Sequence, residues 1–375
     1  MPIRQRAVPR AVRIPGPALV LVLGSGAVRA TRRAFRSDEV VRSDEDLTAR
    51  LEHGLLVAVP LEDADPVRVA DLLTLAVGLD RAVDAIVLGQ QAFALPRARF
   101  RSVTELESTT FAVVRSPADS DHRDLTGPFD VIGDVHGCLE ELLLLLARLG
   151  YEVRLDGAGR PDGAQHPAGR TAVFVGDLVD RGPDVTGVLR LVLGMLASGD
   201  SLSVLGNHDD ALRRALLGHD VEICSGLDVS LTQLAQEPDE FRIAVGEALA
   251  ALPAHLVLDG GDLVVAHAGL AERYHGHESD RVRSLCLHGP TTGETDEAGL
   301  PVRLPWAEGY RGAATVVYGH TPTAARAWRN GTVCVDGGCV FGGALVALRY
   351  PERELVEVPA VARHSVPVRP FLPAG

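Results

Sequence analysis

The sequence predicts an α/β fold whose main domain repeats a strand, a loop and a helix three times. Three apolar runs, FDVI, TAVFV and SLSVL, have the length of buried strands. Each run precedes a short polar motif, and each motif precedes a segment with helical spacing. Open α/β sheets place their ligand sites at the carboxyl ends of parallel strands, so we expect the motifs to converge on one site. The motifs are Gly133–Gly137 (GDVHG), Gly176–Pro183 (GDLVDRGP) and Gly206–Asp210 (GNHDD).

The residue types in these motifs indicate a site for two divalent metal ions. Asp134 and His136 are two residues apart, so on an extended backbone they point the same way and can hold one ion. Asp177 can bridge two ions with its two oxygens, and Asn207 offers a neutral carbonyl oxygen. Such ligands without thiolates suit Mn²⁺, Fe²⁺, Zn²⁺ or Ni²⁺ rather than a closed structural zinc. A centre of this kind activates water and clamps the oxygens of an in-line displacement at phosphorus.

Size and charge limit the classes of function. A chain of 375 residues allows two domains or one large one. Lys and Arg number 37 against 50 for Asp and Glu, a net charge of −13. This acidity predicts no strong non-specific binding to nucleic acid, which depends on neutralising phosphates. A nucleotide substrate remains compatible, because two divalent ions would make the site locally positive.

The cysteines and the hydropathy pattern favour a cytoplasmic protein. The five cysteines are scattered and odd in number, which predicts reduced, mostly buried thiols: Cys138, Cys224, Cys286, Cys334 and Cys339. No apolar run reaches the roughly 18 residues needed to span a bilayer. Arginines before the apolar run Ala18–Leu23 resemble the start of a signal peptide. Secretion is nevertheless disfavoured, because this apolar run is short.

The N-terminal region predicts a small α/β unit with a degenerate phosphate-binding loop. Residues 1–16 are expected to be poorly ordered. A strand at Ala18–Leu23, a turn at Gly24–Gly26 and a helix at Ala27–Phe35 have the layout of such a loop. Ala27 and Val28, however, stand where a working loop needs Lys and Ser or Thr. We therefore expect residues 1–115 neither to hydrolyse ATP nor to bind it tightly.

The remaining elements divide the chain into domains. Strands at Leu55–Val59 and Ala85–Leu88 and a helix at Asp65–Val77 complete the N-terminal unit. The predicted domains are a degenerate unit at 1–115, a linker at 116–128, a phosphoesterase-type domain at 129–360 and a tail at 361–375. In the main domain we expect helices at Cys138–Leu149, Asp184–Ala197 and Asp209–Leu217, an exposed loop at Leu155–Gly169, and a helical insertion at Leu227–Leu252 that breaks near Pro238.

Two further histidines follow predicted strands. A strand at Leu263–His267, which comes after one at His255–Leu258, ends in HAGL, and the strand Thr315–Tyr318 is followed by GHTP. A lone His after a strand is usually structural, but these two follow three metal-type motifs in the same domain. We therefore predict His267 and His320 as ligands. Later strands at Thr332–Asp336 and Ala344–Leu348 carry Asp336 into a Gly-rich turn, and surface or core roles are expected for His53, His166, His219, His275, His277 and His288.

The motifs GDVHG, GDLVDRG, GNHD, HAGL and YGHT resemble those of the calcineurin-like metallophosphoesterases. They are similar above all to the branch that contains phosphoprotein phosphatases and symmetrical diadenosine tetraphosphate hydrolases. The resemblance implies a sandwich of mixed β-sheets flanked by helices.

A more specific resemblance is to bacterial polynucleotide kinase-phosphatases of RNA repair. It rests on RDLTGPFDVIGDVHG, TTGETDEAGLPVR, VVYGHTP and DGGCVFGGALVALRYPEREL. The segment GSGAVRATRRAF then lies where the kinase loop would be, which implies an eroded kinase module, with Ser43 and Asp44 as a relic of its catalytic Asp. The ligase of the full repair protein is not expected in this chain.

The resemblance assigns roles to the residues that match its motifs. Arg181 would clamp the phosphate, and a bidentate guanidinium suits that role. His208 would be the general acid that protonates the leaving group, oriented and kept cationic by Asp180. Asp336 would support a metal ligand from behind, although Gly337 replaces the Thr usual beside it. Asp134 and His136 would hold the first metal, Asp177 would bridge, and Asn207, His267 and His320 would hold the second.

The leading hypothesis is a two-metal phosphomonoesterase, with Mn²⁺ preferred and Ni²⁺, Fe²⁺ or Zn²⁺ as alternatives. A bridging hydroxide would attack 2′-phosphates or 2′,3′-cyclic phosphates of nucleotides or RNA ends. The alternatives are a symmetrical diadenosine tetraphosphate hydrolase and a Ser/Thr phosphoprotein phosphatase. A non-enzymatic alternative is a regulatory or docking component that recruits separate kinase and ligase repair partners.

Overall fold

The computed structural model describes residues 10–41, 43–63, 65–89, 93–116, 118–223, 225–297 and 299–368. These residues form two compact units. One contains the described residues up to Asp121 together with Gly276–Val282, and the other contains His122–His275 and the described residues from Arg283 onward. The division falls within the predicted linker of residues 116–128, although Ala118 and Ser120 of that segment are buried. The exact domain boundaries stay a prediction.

The first unit is built on a parallel sheet. A four-stranded sheet has the order β3-β2-β4-β5, and β1 pairs with β6 in a separate parallel ribbon. All six residues of the central strand β2 are buried, which explains its uninterrupted apolar sequence ALVLVL. The elements are β1 (Arg10–Pro15), β2 (Ala18–Leu23), α1 (Ala27–Ala34), α2 (Asp44–Glu52), β3 (Val57–Leu61), α3 (Pro66–Gly78), β4 (Ala82–Leu88), β5 (Ser102–Leu106) and β6 (Phe111–Ser116).

The predicted strand, turn and helix at the start of this unit are confirmed. Gly26 precedes α1 with a left-handed φ of 83°, which glycine adopts without strain. The proposed relic of a catalytic Asp has local structural roles. Ser43 caps α2 by accepting a hydrogen bond from the Asp46 amide at 3.3 Å, and Asp44 forms an ion pair with Arg68.

The expectation of disorder before residue 17 is wrong for Arg10–Pro15, which form β1. Val12 and Ile14 are buried while their neighbours Ala11 and Arg13 are exposed. The short alternation of apolar and exposed residues therefore marked a half-buried strand within an Arg- and Pro-rich segment. Residues 1–9 lie outside the described part of the chain.

The second unit contains the three motifs. Its elements in chain order are β7 (Asp121–His122), β8 (Phe129–Ile132), α4 (Leu139–Leu149), β9 (Glu152–Leu155), β10 (Pro161–Gln165), β11 (Thr171–Phe174), α5 (Val185–Ser198), β12 (Ser201–Ser203), α6 (Asn207–Leu216), α7 (Leu227–Leu234), α8 (Asp239–Ala251), β13 (His255–Leu258), β14 (Leu263–Ala266), α9 (Asp280–His288), β15 (Thr291–Thr295), β16 (Pro301–Arg303), α10 (Trp306–Gly309), β17 (Thr315–Tyr318), β18 (Thr332–Cys334), β19 (Ala344–Tyr350) and β20 (Glu354–Pro359).

Two mixed five-stranded sheets form the framework of this unit, with the orders β12-β11-β8-β19-β20 and β18-β17-β14-β13-β7. In the first sheet β8, β11 and β12 are parallel, and in the second β14, β17 and β18 are parallel. Side chains from both sheets share one core, including Val131, Val173, Val265 and Val317. The opposite face of the first sheet packs against helices α4 to α8. The predicted sandwich of mixed sheets flanked by helices is confirmed.

Most predicted helices and strands of this unit are present within one to three residues of their expected bounds. The insertion breaks at Pro238 as predicted, into α7 and α8. The predicted exposed loop at Leu155–Gly169 is wrong, because β9 and β10 form an antiparallel hairpin. Ala164 of this hairpin is buried, and the Asp162 carbonyl lies so close to α5 that a Cβ on Gly194 would be 1.7 Å from it.

Two further predictions concern the cysteines and membrane-spanning helices. The described cysteines are buried and outside disulfide bonds, as predicted: Cys138, Cys286, Cys334 and Cys339. Cys224 lies outside the described residues. Within the described ranges, none of the helices combines the length and the apolar composition that crossing a membrane requires.

Helix α4 offers a matched test of the core. Leu145 is fully buried in the core under the first sheet, whereas its neighbour Leu144 is 48% exposed. We expect Leu145→Ala to lower the free energy of unfolding by about 2 to 5 kcal/mol, because it removes buried methyl groups and leaves a cavity. Leu144→Ala should change it by less than about 0.5 kcal/mol. Denaturant unfolding of both variants checks this, and equal losses would contradict the assigned orientation of α4.

Candidate metal centre

The six predicted metal ligands lie at the carboxyl ends of parallel strands in the two sheets of the second unit. The first sheet supplies four of them and the second sheet supplies two, so the site is formed where the edges of both sheets meet. Asp134 and His136 follow β8, Asp177 follows β11, Asn207 begins α6 after β12, His267 follows β14 and His320 follows β17.

Several side chains of this site sit on strained backbone. The φ angles of His136, Asp177, Asp180, Arg181 and His320 are 46°, 50°, 73°, 68° and 68°. Residues with a Cβ seldom adopt this left-handed region, and such strain persists only where the surrounding structure holds it. The sharp reversals turn the side chains back from the strand ends toward one another.

Asp177 lies between two groups of nitrogen ligands. Its Oδ2 atom is 3.5 Å from His136 Nε2 on one side and 3.4 Å from His267 Nε2 on the other. Its Oδ1 atom accepts a hydrogen bond from the His208 amide at 3.0 Å. Asp177 is thus shared by two clusters that could each hold an ion, one with His136 and His208 and one with His267 and His320.

The hydrogen-bond pattern of the site fits bound cations. His267 Nδ1 lies 3.0 Å from the Val175 carbonyl, so that nitrogen carries the proton and Nε2 presents a lone pair. The same Nε2 faces Asn207 Oδ1 and His320 Nδ1, both at 3.0 Å. His136 Nδ1 is likewise 2.7 Å from the Val179 carbonyl. Electron-pair donors therefore converge on each side of Asp177, as metal ions require.

Asp134 also indicates that the site fits a metal ion. Its Oδ2 accepts a hydrogen bond from the His320 amide at 3.0 Å, while Oδ1 is buried and has no hydrogen-bond partner among the described residues. A buried oxygen of this kind is costly unless a donor or a cation meets it. Gly319 leaves room for it, because a Cβ at that position would be 1.8 Å from Asp134 Oδ1.

Without a cation the buried Asp134 carboxylate is disfavoured, whereas two of the imidazoles are already in the neutral form that ligates metals. Burial, with the nearby Asp336 and Asp177 carboxylates, raises the pKa of Asp134 well above its usual range. Burial lowers the pKa of His136, and the Arg181 charge lowers it further. Burial also lowers the pKa of His320, so both imidazoles are held in the neutral form that ligates metals.

Asp336 lies in the same buried cluster. It is 4% exposed, and its Oδ1 accepts a hydrogen bond from the Gly338 amide at 2.9 Å. Burial, together with the Asp177 charge, raises the pKa of Asp336 to about 7 despite that hydrogen bond. The predicted role of Asp336 as a support for a ligand stays a prediction, because its described side-chain hydrogen bond is to the Gly338 amide rather than to a ligand side chain.

Asp180, His208 and Arg181 form a second cluster beside Asp177. His208 Nδ1 is 2.6 Å from Asp180 Oδ2, which fixes the imidazole ring and leaves Nε2 directed away. Arg181 spans two rings, with Nη1 2.8 Å from His136 Nε2 and Nη2 2.8 Å from His208 Nε2. The guanidinium also lies 5.2 Å from the centre of the Phe341 ring. An arginine and an imidazole thus stand together next to the possible metal positions.

Two supporting residues were missed by sequence reasoning. Ser230 on α7 donates a hydrogen bond to Asp180 Oδ1 at 2.5 Å and accepts one from the Asp180 amide at 2.9 Å. Asp209 was also not predicted, although an acidic third residue of a helix is a recognisable capping signal. Its carboxylate accepts hydrogen bonds from the Leu178 and Gly206 amides, both at 3.0 Å, and so joins the second motif to the third.

This arrangement defines a metal-dependent phosphoesterase. A profile of the calcineurin-like phosphoesterases matches residues 127–324, and the chain belongs to this family of hydrolases. The family has a binuclear metal site, in agreement with the two clusters that share Asp177.

The chain is similar to bis(5′-nucleosyl)-tetraphosphatases PrpE described as asymmetrical. It is 41% identical to the protein of Anoxybacillus flavithermus over 248 residues, which cover 65% of this chain and 99% of that relative. It is 40% identical to the protein of Bacillus subtilis over 236 residues, covering 62% and 94%. A crystal structure of a candidate diadenosine tetraphosphatase matches 64% of this chain and 96% of its own length, with 30% identity and a TM-score of 0.46.

Replacement of Asp177 tests the shared carboxylate. Asp177→Ala should lower the metal content from two ions per chain and abolish turnover of p-nitrophenyl phosphate, because both clusters lose their common ligand. Metal analysis by mass spectrometry and a Mn²⁺-supplemented assay measure these effects. Asp239→Ala, at a side chain that is 77% exposed, is the matched control. Full metal content and wild-type turnover in Asp177→Ala would contradict a binuclear site centred on this residue.

His208 can be separated from the metal ligands. His208→Ala should keep both ions yet lose turnover of an alkyl phosphate by roughly 10²- to 10⁴-fold, the usual effect of losing a general acid. The loss should be smaller for p-nitrophenyl phosphate, whose leaving group needs no proton. Equal losses on both substrates would exclude the acid role, and loss of one ion would place His208 among the ligands instead.

Proposed function

We propose that this metallophosphoesterase hydrolyses dinucleoside polyphosphates, with a dinucleoside tetraphosphate as the preferred substrate. The observation that carries the proposal is the pair of buried clusters that share Asp177, since such a centre acts on phosphorus-oxygen bonds. The choice of substrate is supported by the tetraphosphatases, to which about two thirds of this chain is 38 to 43% identical.

The ligand residues would act as first predicted, with Asp134 and His136 on one side of Asp177 and Asn207, His267 and His320 on the other. Bound divalent ions, with Mn²⁺ preferred, would supply activation of water and neutralisation of the phosphate oxygens. Arg181 would release the Nε2 atom of His136 to this ligand set and turn its guanidinium toward the phosphate. Two parallel hydrogen bonds from Arg181 would then hold the reacting group in place.

Arg181 Nη2 lies 2.8 Å from His208 Nε2 and would have to leave this contact as well when it turns toward the phosphate. His208 would then hold the proton for the leaving group on Nε2, while Asp180 fixes the ring through Nδ1. Ser230 keeps the Asp180 carboxylate in position from the opposite side. A nucleotide leaving group expelled from a phosphoanhydride is a weak base and needs little protonation. We therefore expect His208 to matter less for a dinucleoside tetraphosphate than for an alkyl phosphate ester.

The proposal differs from the leading sequence hypothesis in its substrate. The RNA-end interpretation rests on segments such as TTGETDEAGLPVR, which contains strands β15 and β16, and on CVFGGALVALRYPE. The comparisons favour the diadenosine tetraphosphate alternative, although the relatives are described as asymmetrical rather than symmetrical. A purely regulatory or docking role is set aside, because the chain belongs to a family of hydrolases.

A substrate panel with product analysis tests the proposal. With Mn²⁺ present, we expect diadenosine tetraphosphate to be turned over at least tenfold more efficiently than a phosphoserine peptide or 2′-phosphorylated and 2′,3′-cyclic ribonucleotides. Asymmetrical cleavage should yield ATP and AMP, whereas symmetrical cleavage would yield ADP alone, and anion-exchange chromatography separates these products. A preference for the ribonucleotide 2′-phosphates would restore the RNA-end interpretation, and a preference for the peptide would favour a protein phosphatase.

A further inference from the structure

Three arginines on α6, α9 and the β15–β16 hairpin bind residues that lie close in the chain to predicted metal ligands. We call Arg213, Arg283 and Arg303 the cationic rim. Arg213 lies on α6, Arg283 on α9 and Arg303 at the end of β16. None of these three arginines was predicted as a site residue, and each lies on a different element.

Arg213 and Arg283 meet at one carboxylate close to the predicted ligands. Asp210 Oδ1 accepts hydrogen bonds from Arg213 Nη2 at 2.8 Å and from Arg283 Nη2 at 2.7 Å. Asp210 comes three residues after Asn207 in the third motif. Because two guanidinium groups share one carboxylate, this cluster keeps a net positive charge. The Arg283 side chain is 37% exposed, so solvent or a ligand can reach it.

Arg303 reaches the loop that carries His320. Arg303 Nη1 donates a hydrogen bond to Thr321 Oγ1 at 2.5 Å, directly beside the predicted ligand. Its hairpin is exposed on nearly every residue of both strands, so burial of apolar surface does not explain its position there. Arg303 is thus held against the loop that carries His320, although the residue as a whole is exposed.

Both parts of the rim lie beside predicted ligands. Asp210, which binds Arg213 and Arg283, comes three residues after Asn207. Thr321, which binds Arg303, directly follows His320. The arginines of the rim are therefore held by residues that neighbour two of the predicted ligands in the chain.

We propose that the cationic rim binds the phosphates of a polyphosphate chain that lie beyond the phosphate attacked at the metal centre. This inference rests on the proposed function for its choice of ligand. Guanidinium groups bind phosphate oxygens through short charge-assisted hydrogen bonds, often in pairs. Bound metal ions would neutralise the phosphate under attack, and the other phosphates of a tetraphosphate chain would need further cations. The rim thus selects polyphosphates over monophosphates.

Competition against p-nitrophenyl phosphate turnover tests the rim independently of which substrate is cleaved. Inhibition constants are measured for inorganic phosphate, AMP, ADP and the β,γ-methylene analogue of ATP, at constant free Mn²⁺. In the wild type, inhibition should tighten as phosphates are added. Arg303→Gln should raise the inhibition constant of the ATP analogue by tenfold or more and that of inorganic phosphate by less than threefold. Arg283→Gln should show the same selectivity.

Arg160→Gln is the matched control, since Arg160 is a 54%-exposed arginine on the other hairpin of the same unit and pairs with Asp156. It should leave every inhibition constant unchanged. Thermal unfolding of each variant reports whether the substitution disturbs the fold. Unchanged binding of the ATP analogue in both rim variants, or an equal loss for phosphate and the analogue, would overturn the proposal. The wild type could leave diadenosine tetraphosphate intact while the rim variants still lose binding of the ATP analogue selectively. That result would contradict the proposed function but support polyphosphate binding by the cationic rim.

Discussion

Three buried carboxylates placed against one another are the constraint on which this site depends. Asp134, Asp177 and Asp336 are each less than 5% exposed. After burial itself, the Asp336 and Asp177 charges raise the pKa of Asp134, and the Asp177 charge raises that of Asp336. An unpaired buried carboxylate costs several kcal/mol, so such a group is tolerated only where cations or donors compensate it.

The framework keeps these groups in place through backbone rather than through flexible side chains. Strained φ angles at His136, Asp177 and His320 aim the side chains inward, and glycines allow the loops to approach closely. A Cβ on Gly206, for example, would lie 2.2 Å from both the amide nitrogen and the Oδ1 atom of Asp177. Asp209 then ties the second and third motifs together through two amide hydrogen bonds. Rigid loops of this type position charged groups without a cost in side-chain entropy at binding.

The sequence predicted the parts of the fold whose signals are local. Short runs rich in apolar residues located β8, β11 and β12, and the polar residues after them placed Asp134, Asp177 and Asn207 at one edge. Ser230 could not be found in this way, because its role depends on α7 packing back onto Asp180. The β9–β10 hairpin was missed because its Gly and Pro content is typical of a loop, while its contact with α5 is a tertiary feature. The prediction of substrate relied on resemblance, since pocket rims such as the β15–β16 hairpin carry no local motif.

The supply of ligands from two sheets has a consequence for the stability of the protein. Asp134, His136, Asp177 and Asn207 follow strands of one sheet, whereas His267 and His320 follow strands of the other. The complete ligand set exists only while the two sheets are packed together, so metal binding and sheet packing are thermodynamically linked. Each tenfold rise in free metal above the dissociation constant adds about 1.4 kcal/mol per site to the free energy of unfolding. The concentration of free metal would thus change the stability of the folded sandwich as well as its catalytic state.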